Sequence, residues 1–178
     1  MKIRNNFVFI ALHVVAWLIF VGLCIEAGGL IVNFVYSVFK PEIVGKLYQK
    51  LDLSSLYQQS KLAYYSMYSF VIFISLLKAM LFYIVIELLY KLDLTKPFNN
   101  FVARKITQIS YYTFSIGILS IIASQTAKNL SHHGYEIDNL SQFWVDSQAF
   151  ILMAAVIYVI ATIFKKGVDI QNENDLTV

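Results

Sequence analysis

Polar residues cut this chain into long apolar runs, and the runs are too continuous to be one face of a water-soluble fold. They are Phe7 to Ile25 with an extension towards Val35, Leu62 to Tyr90, Ile106 to Ala127, and Ser147 to Phe164. A hydrocarbon core about 30 Å thick takes about 20 helical residues to cross, so each run is long enough or nearly so. None alternates in character as a transmembrane barrel strand does. The pattern predicts an all-α integral membrane protein, a four-helix bundle forming one domain over residues 1–178. Its spans are expected near 7–33, 62–92, 104–127 and 145–165, with a cytoplasmic tail over 166–178.

The segments between the runs are read from their punctuation. Pro41 suits the first turn of a helix, and Ile43, Val44, Leu47 and Leu51 recur at helical spacing among Lys40, Glu42, Lys46 and Lys50. That predicts a short amphipathic helix over Pro41–Leu51 on the extracytoplasmic surface. Ser54 or Ser55 is placed to cap the second span, and Asn99 or Asn100 the third. Helix 3 carries a stripe of small or hydroxyl residues at Ser110, Thr113, Gly117, Ser120, Ser124 and Ala127, the pattern that lets membrane helices approach closely. A sparser stripe on helix 4, Ser147, Ala154 and Ala161, is its expected partner.

Composition agrees with the pattern. The chain is 58% hydrophobic and only 14% charged, far outside the range of a soluble domain of its length. Its net charge of +3 reflects basic flanks of membrane segments, and no direct nucleic-acid partner is expected. Eight basic residues flank one face (Lys2, Arg4, Lys91, Lys96, Arg104, Lys105, Lys165, Lys166) and five the other (Lys40, Lys46, Lys50, Lys61, Lys128). Positive flanks mark the cytoplasm, so both termini are expected there. Tyr64, Tyr65, Tyr68, Phe143 and Trp144 are expected to form the outer aromatic belt.

The basic N-terminus before the first run resembles a secretory signal peptide, with Ala27 and Gly29 as a small-x-small site. The run is longer than the usual signal core of about 7 to 15 residues, and helix 1 is expected to be retained. Cys24, the one cysteine, lies inside the first run, has no partner for an intramolecular disulfide and is read as a packing residue; Leu23 does not suit a lipoprotein site.

Charges inside the runs are the chemistry to be explained. Lys78 stands near the middle of the second run, where a lysine costs about 2.5–3.5 kcal/mol and each of the twelve Leu, Ile, Phe and Val residues from Phe70 to Ile86 returns about 0.3–0.6. Insertion wins by about 2 kcal/mol, with the lysine facing protein or water. Measured at 1.5 Å per residue from inner anchors near Phe7 and Leu92, His13 and Glu87 lie about 9 and 7.5 Å deep, and Glu26 and Lys78 about 28 and 21 Å. These depths suggest His13–Glu87 and Glu26–Lys78 as intramembrane polar pairs. Such pairs either lock two helices together, the favoured reading, or line a transport, ion or proton path.

No catalytic constellation rises above chance. Ser75 and Lys78 have a Ser-x-x-Lys spacing but lie deep in an apolar helix with no sign of an oxyanion hole. His132 and His133 with Glu136 and Asp138 are metal-competent types, yet adjacent histidines in a polar loop are usually only solvated. An enzyme is not expected, nor a metal or cofactor.

The C-terminal residues differ in kind: Gly167 is placed to end or bend helix 4, and an acidic stretch finishes on apolar residues. Gly167, Ile170, Glu173, Asp175, Leu176, Thr177 and Val178, together with Pro97 and Phe98 between spans two and three, form a pattern that resembles the bacterial membrane proteins of domain of unknown function family 2975. The resemblance covers essentially the whole chain. It implies four spans, a bacterial inner (plasma) membrane, and a gene neighbour encoding a small helix-turn-helix transcription regulator; it carries over no catalytic residue. The chain departs from the family in its polar segment from Lys40 to Lys61. The expected role is a non-enzymatic membrane regulator or docking protein that holds a cytosolic partner with Pro97, Phe98 and residues 167–178. The alternative is a small transporter using His13, Glu26, Lys78 and Glu87. Partners are the lipid bilayer, a cytosolic regulatory protein and, as a further option, another copy of the chain.

Overall fold

The structure, a computed structural model, describes residues 7–47, 52–93, 97–135 and 137–176. Its long helices are α1 (Phe7–Phe39), α3 (Lys61–Lys91), α4 (Asn100–His132) and α5 (Ser147–Leu176), with a short α2 (Ser54–Gln59) before α3. Four helices are long and apolar enough to cross a membrane, and among the described residues there is no strand. The chain is an all-α membrane protein of helical-bundle type.

The starts of α3 and α4 are fixed by side chains that satisfy otherwise unpaired backbone N–H groups. Asn99 Oδ1 accepts from the Val102 N–H at 2.9 Å, as its position predicted. At α3 the cap is Ser60, whose Oγ accepts from the Ala63 N–H at 3.3 Å. Ser54 instead opens the separate helix α2, because Ser60 adopts an extended backbone that breaks the run before α3. At the other end of α4, Gly134 takes φ of 85°, a left-handed conformation that glycine adopts without steric cost.

The expected surface helix over Pro41–Leu51 is shorter and tighter. A 3₁₀ helix covers Pro41–Gly45, and residues 48–51 lie outside the described ones. The segment folds back onto the helices: Val44, Leu47, Leu53 and Leu56 are buried with Leu30, Tyr64, Met67 and Tyr68, and the Leu53 N–H donates to the Val44 carbonyl at 3.1 Å. Fully burying each such leucine or valine is worth about 1.5–3 kcal/mol, which favours a plug over a surface float. A second 3₁₀ helix, Asp138–Phe143, adds Leu140 and Phe143 to the same core.

That plug corrects the aromatic belt. Tyr64 and Tyr68 are completely buried, and Phe143 and Trp144 nearly so. They form the core of the end of the bundle that carries the plug, with Phe34 stacked on Tyr68 and Tyr57 edge-on to Tyr64.

The long helices pack in chain order, α1 on α3, α3 on α4 and α4 on α5, and among the described residues no comparable contact brings α5 back to α1. The α4–α5 seam is the most extensive and follows the expected stripes. Ser110, Thr113, Gly117 and Ser120 are buried, as are Ala154 and Ala161. Ser110 Oγ donates to the Ala154 carbonyl at 2.9 Å, and a Cβ on Gly117 would come within 2.6 Å of Ile151 Cδ1. Close backbone approach here depends on the absence of side chain at that glycine.

Candidate functional site

Three ring contacts fix the register of α1 against α3. His13 meets Tyr90 at 6.5 Å between ring centroids, Phe20 meets Tyr83 at 6.1 Å, and Phe34 meets Tyr68 at 5.4 Å. In these antiparallel pairs the two residue numbers add to 103, 103 and 102. Glu26 and Lys78 add to 104, so they are level to within about one residue, or 1.5 Å, where counting from the helix ends left a gap of about 7 Å. Both are half-buried, and no ion pair joins them. The structure brings them to one depth on neighbouring helices.

The other expected pair does not form. His13 Nε2 accepts a hydrogen bond from Trp17 Nε1 at 3.1 Å, one turn along α1. Glu87 turns the other way: one carboxylate oxygen pairs with Lys91 at 3.4 Å and the other with Lys105 of α4. The register explains it, since His13 lies level with Tyr90, about 4.5 Å from the level of Glu87. Lys91 and Lys105 also stand over the Phe101 ring, at 4.9 and 5.7 Å from its centroid. The Glu87–Lys105 bridge between α3 and α4 is a feature the sequence reading missed; its signal was the basic start of α4 facing an acid one turn from the end of α3.

The two halves of the family-like pattern meet. A Cβ on Gly167 would lie 2.5 Å from Phe98 Cδ1 and 2.8 Å from Cε1, so the Phe98 ring rests directly on the α5 backbone. The same ring lies 5.3 Å from that of Phe164, and Val168 is buried beside them. Gly167 therefore does not end the helix. It makes room for Phe98, and α5 continues through it to Leu176. Pro97, half-buried, precedes the docked ring.

Around and beyond Gly167, Val168 is buried while Lys166, Asp169, Ile170 and Glu173 are exposed. At about 100° per residue these four share a face about 100° wide. The Asp175 and Leu176 side chains, and Thr177 and Val178 entirely, lie outside what is described.

The two histidines at the end of α4 stand apart from these sites. His132 and His133 are exposed, and His133 Nδ1 lies 2.7 Å from the Asn129 carbonyl oxygen. Among the described residues no three His, Cys, Asp or Glu side chains converge as a metal site would require; Glu136 and the Asp138 side chain are not among them.

A family model described as "Protein of unknown function (DUF2975)" matches residues 47–178. The chain belongs to this family. The DUF2975 match includes both Phe98 and Gly167, together with α3, α4 and α5, while all of α1, including Glu26, precedes it. No curated protein and no solved structure matches the chain.

Proposed function

We propose that this DUF2975 protein is a non-enzymatic docking protein of a bacterial inner (plasma) membrane, with both termini in the cytoplasm. It presents the end of α5 to a basic surface of a cytosolic regulator, of which a small helix-turn-helix transcription regulator is the proposed case. The observation that carries this reading is the unbroken course of α5 through Gly167, held by Phe98. A helix fixed in this way displays Asp169, Ile170 and Glu173 in a set geometry, with exposed apolar area between two carboxylates. Exposed ion pairs contribute only about 0–1 kcal/mol each, so Ile170 supplies affinity by burial while the acids select a basic partner.

The test has two parts. A reporter active only in the cytoplasm is fused after Val178, and another is inserted near His133; the first should be active and the second silent. The full chain in nanodiscs is then titrated with a small helix-turn-helix regulator of the kind proposed. Asp169→Lys with Glu173→Lys should weaken binding at least tenfold, and Phe98→Ala should weaken it less. Charge reversal without effect, or the opposite reporter pattern, would remove the basis of the reading.

A further inference from the structure

Glu26 and Lys78 share a side as well as a depth. At about 100° per residue, Glu26 lies about 120° round α1 from Phe20, and Lys78 about 140° round α3 from Tyr83. Phe20 and Tyr83 meet on one side of the α1–α3 seam. In antiparallel neighbours these rotations run towards the same opposite side, so the carboxylate and the ammonium project there side by side.

α5 stands on that side too. On α4, Ile116 and Ala123 belong to the core shared with α3, whereas Ser110 and Gly117 meet Ala154 and Ile151 of α5. The two sets are about a right angle apart round the helix, so the row bends at α4. Lys91, Lys105 and Phe101 occupy the outside of the α3–α4 seam, which leaves Glu26 and Lys78 on the inside of the bend. Both ends of the resulting hook are bare: only 6% of the apolar window of α1 and 11% of that around α5 is buried.

We propose that a second copy of this chain fills the hook, related by a two-fold axis along the membrane normal, with Glu26 of each copy paired to Lys78 of the other. Such an axis preserves depth, so residues level within one copy are level across the interface. The contact is isologous, each copy supplying one acid and one base, and the four charges sum to zero. The same operation lays α1 over the other copy's α3 and closes α5 against the other copy's α1. Both bare edges are covered, and a charge that is costly in hydrocarbon gains its partner.

The experiment co-expresses two differently tagged full-length copies and measures their co-capture from solubilised membranes. Wild-type copies should co-capture. Glu26→Lys in both copies, or Lys78→Glu in both, should reduce co-capture at least tenfold. Glu26→Lys in one copy with Lys78→Glu in the other restores opposite charges at both contacts and should recover it to within about twofold of wild type. A second measurement is independent of charge reversal and of any folding defect it brings. In a Cys24→Ser background, Glu26→Cys in one copy and Lys78→Cys in the other should form a disulfide-linked pair. Native Cys24, about 160° round α1 from Glu26, should form none with Lys78→Cys. Wild-type copies that do not co-capture, a mixed pair no better than either single variant while each chain inserts normally, or no cross-link from the cysteine pair would overturn the proposal. A mixed pair without recovery would assign the two charges to one chain.

Discussion

Phe98 and Gly167 touch so closely that one added methyl group would displace an aromatic ring. The neighbour is a side chain and 39% exposed, so the ring can swing away. Gly167→Ala should therefore expel Phe98 rather than break α5. Loss of thermal stability in detergent should correspond to about 1–3 kcal/mol, the usual cost of overpacking. Adding Phe98→Ala to Gly167→Ala should cost little more, because the contact is already lost. Additive losses would show that the ring and the glycine act separately.

Gly117 should be less forgiving. Its added Cβ would come within 2.9 Å of Ile151 Cγ1 and 3.2 Å of the Ile151 backbone nitrogen, and backbone cannot swing aside. Gly117→Ala should separate α4 from α5 and stretch the Ser110–Ala154 hydrogen bond, at a larger cost than Gly167→Ala, towards the upper end of about 1–3 kcal/mol. Ile151→Ala in the same chain should relieve only part of it. Thermal unfolding of the two single variants and the double variant measures the coupling.

The two lysines on Glu87 should differ. Lys105 joins two helices and its side chain is 16% exposed, whereas Lys91 lies one turn along the same helix and is 53% exposed. Lys105→Met should therefore destabilise the chain more than Lys91→Met, whose loss should fall within about 0.5 kcal/mol. Equal effects, measured at low and high salt, would mean that the inter-helix bridge contributes nothing.

Asp52 supplies a pH marker for the plug. Its carboxylate accepts from the Ser54 hydroxyl at 2.6 Å and from the Ser54 N–H at 2.9 Å, and these bonds hold its pKa below the ordinary 3.8. A folded pKa below the unfolded one means that the contribution is present above the unfolded value and is lost as pH falls through the folded one. Ser54→Ala should move the Asp52 midpoint upwards in a carboxyl-resolved titration. An unchanged midpoint would mean that the hydroxyl is not the main cause.

The legible parts of the fold were those written in local pattern: the four apolar runs, the Asn99 cap and the small-residue stripes of the α4–α5 seam. Each depends on neighbours one to four residues away. The fate of Val44, Leu47 and Leu53 depended on a surface that Leu30, Tyr64 and Met67 assemble only in three dimensions, so a buried plug and a surface helix share one sequence signature. Gly167 misled for a related reason. Glycine past a lysine pair is a common helix stop, and its role as a seat for Phe98 is visible only once the two are adjacent. Depth along α1 and α3 was legible to within about one helical turn, which sufficed to single out Glu26 and Lys78 but not to pair His13 correctly.

The chain-order packing of the helices bears on how the protein is made. Each long helix finds its main neighbour in the next one along the chain, α1 in α3, α3 in α4 and α4 in α5. Contacts between sequence neighbours close short loops, the arrangement that speeds assembly, and synthesis delivers the N-terminal elements first. Each helix can settle against its predecessor as it leaves the ribosome, and no early span has to wait in the bilayer for a late one.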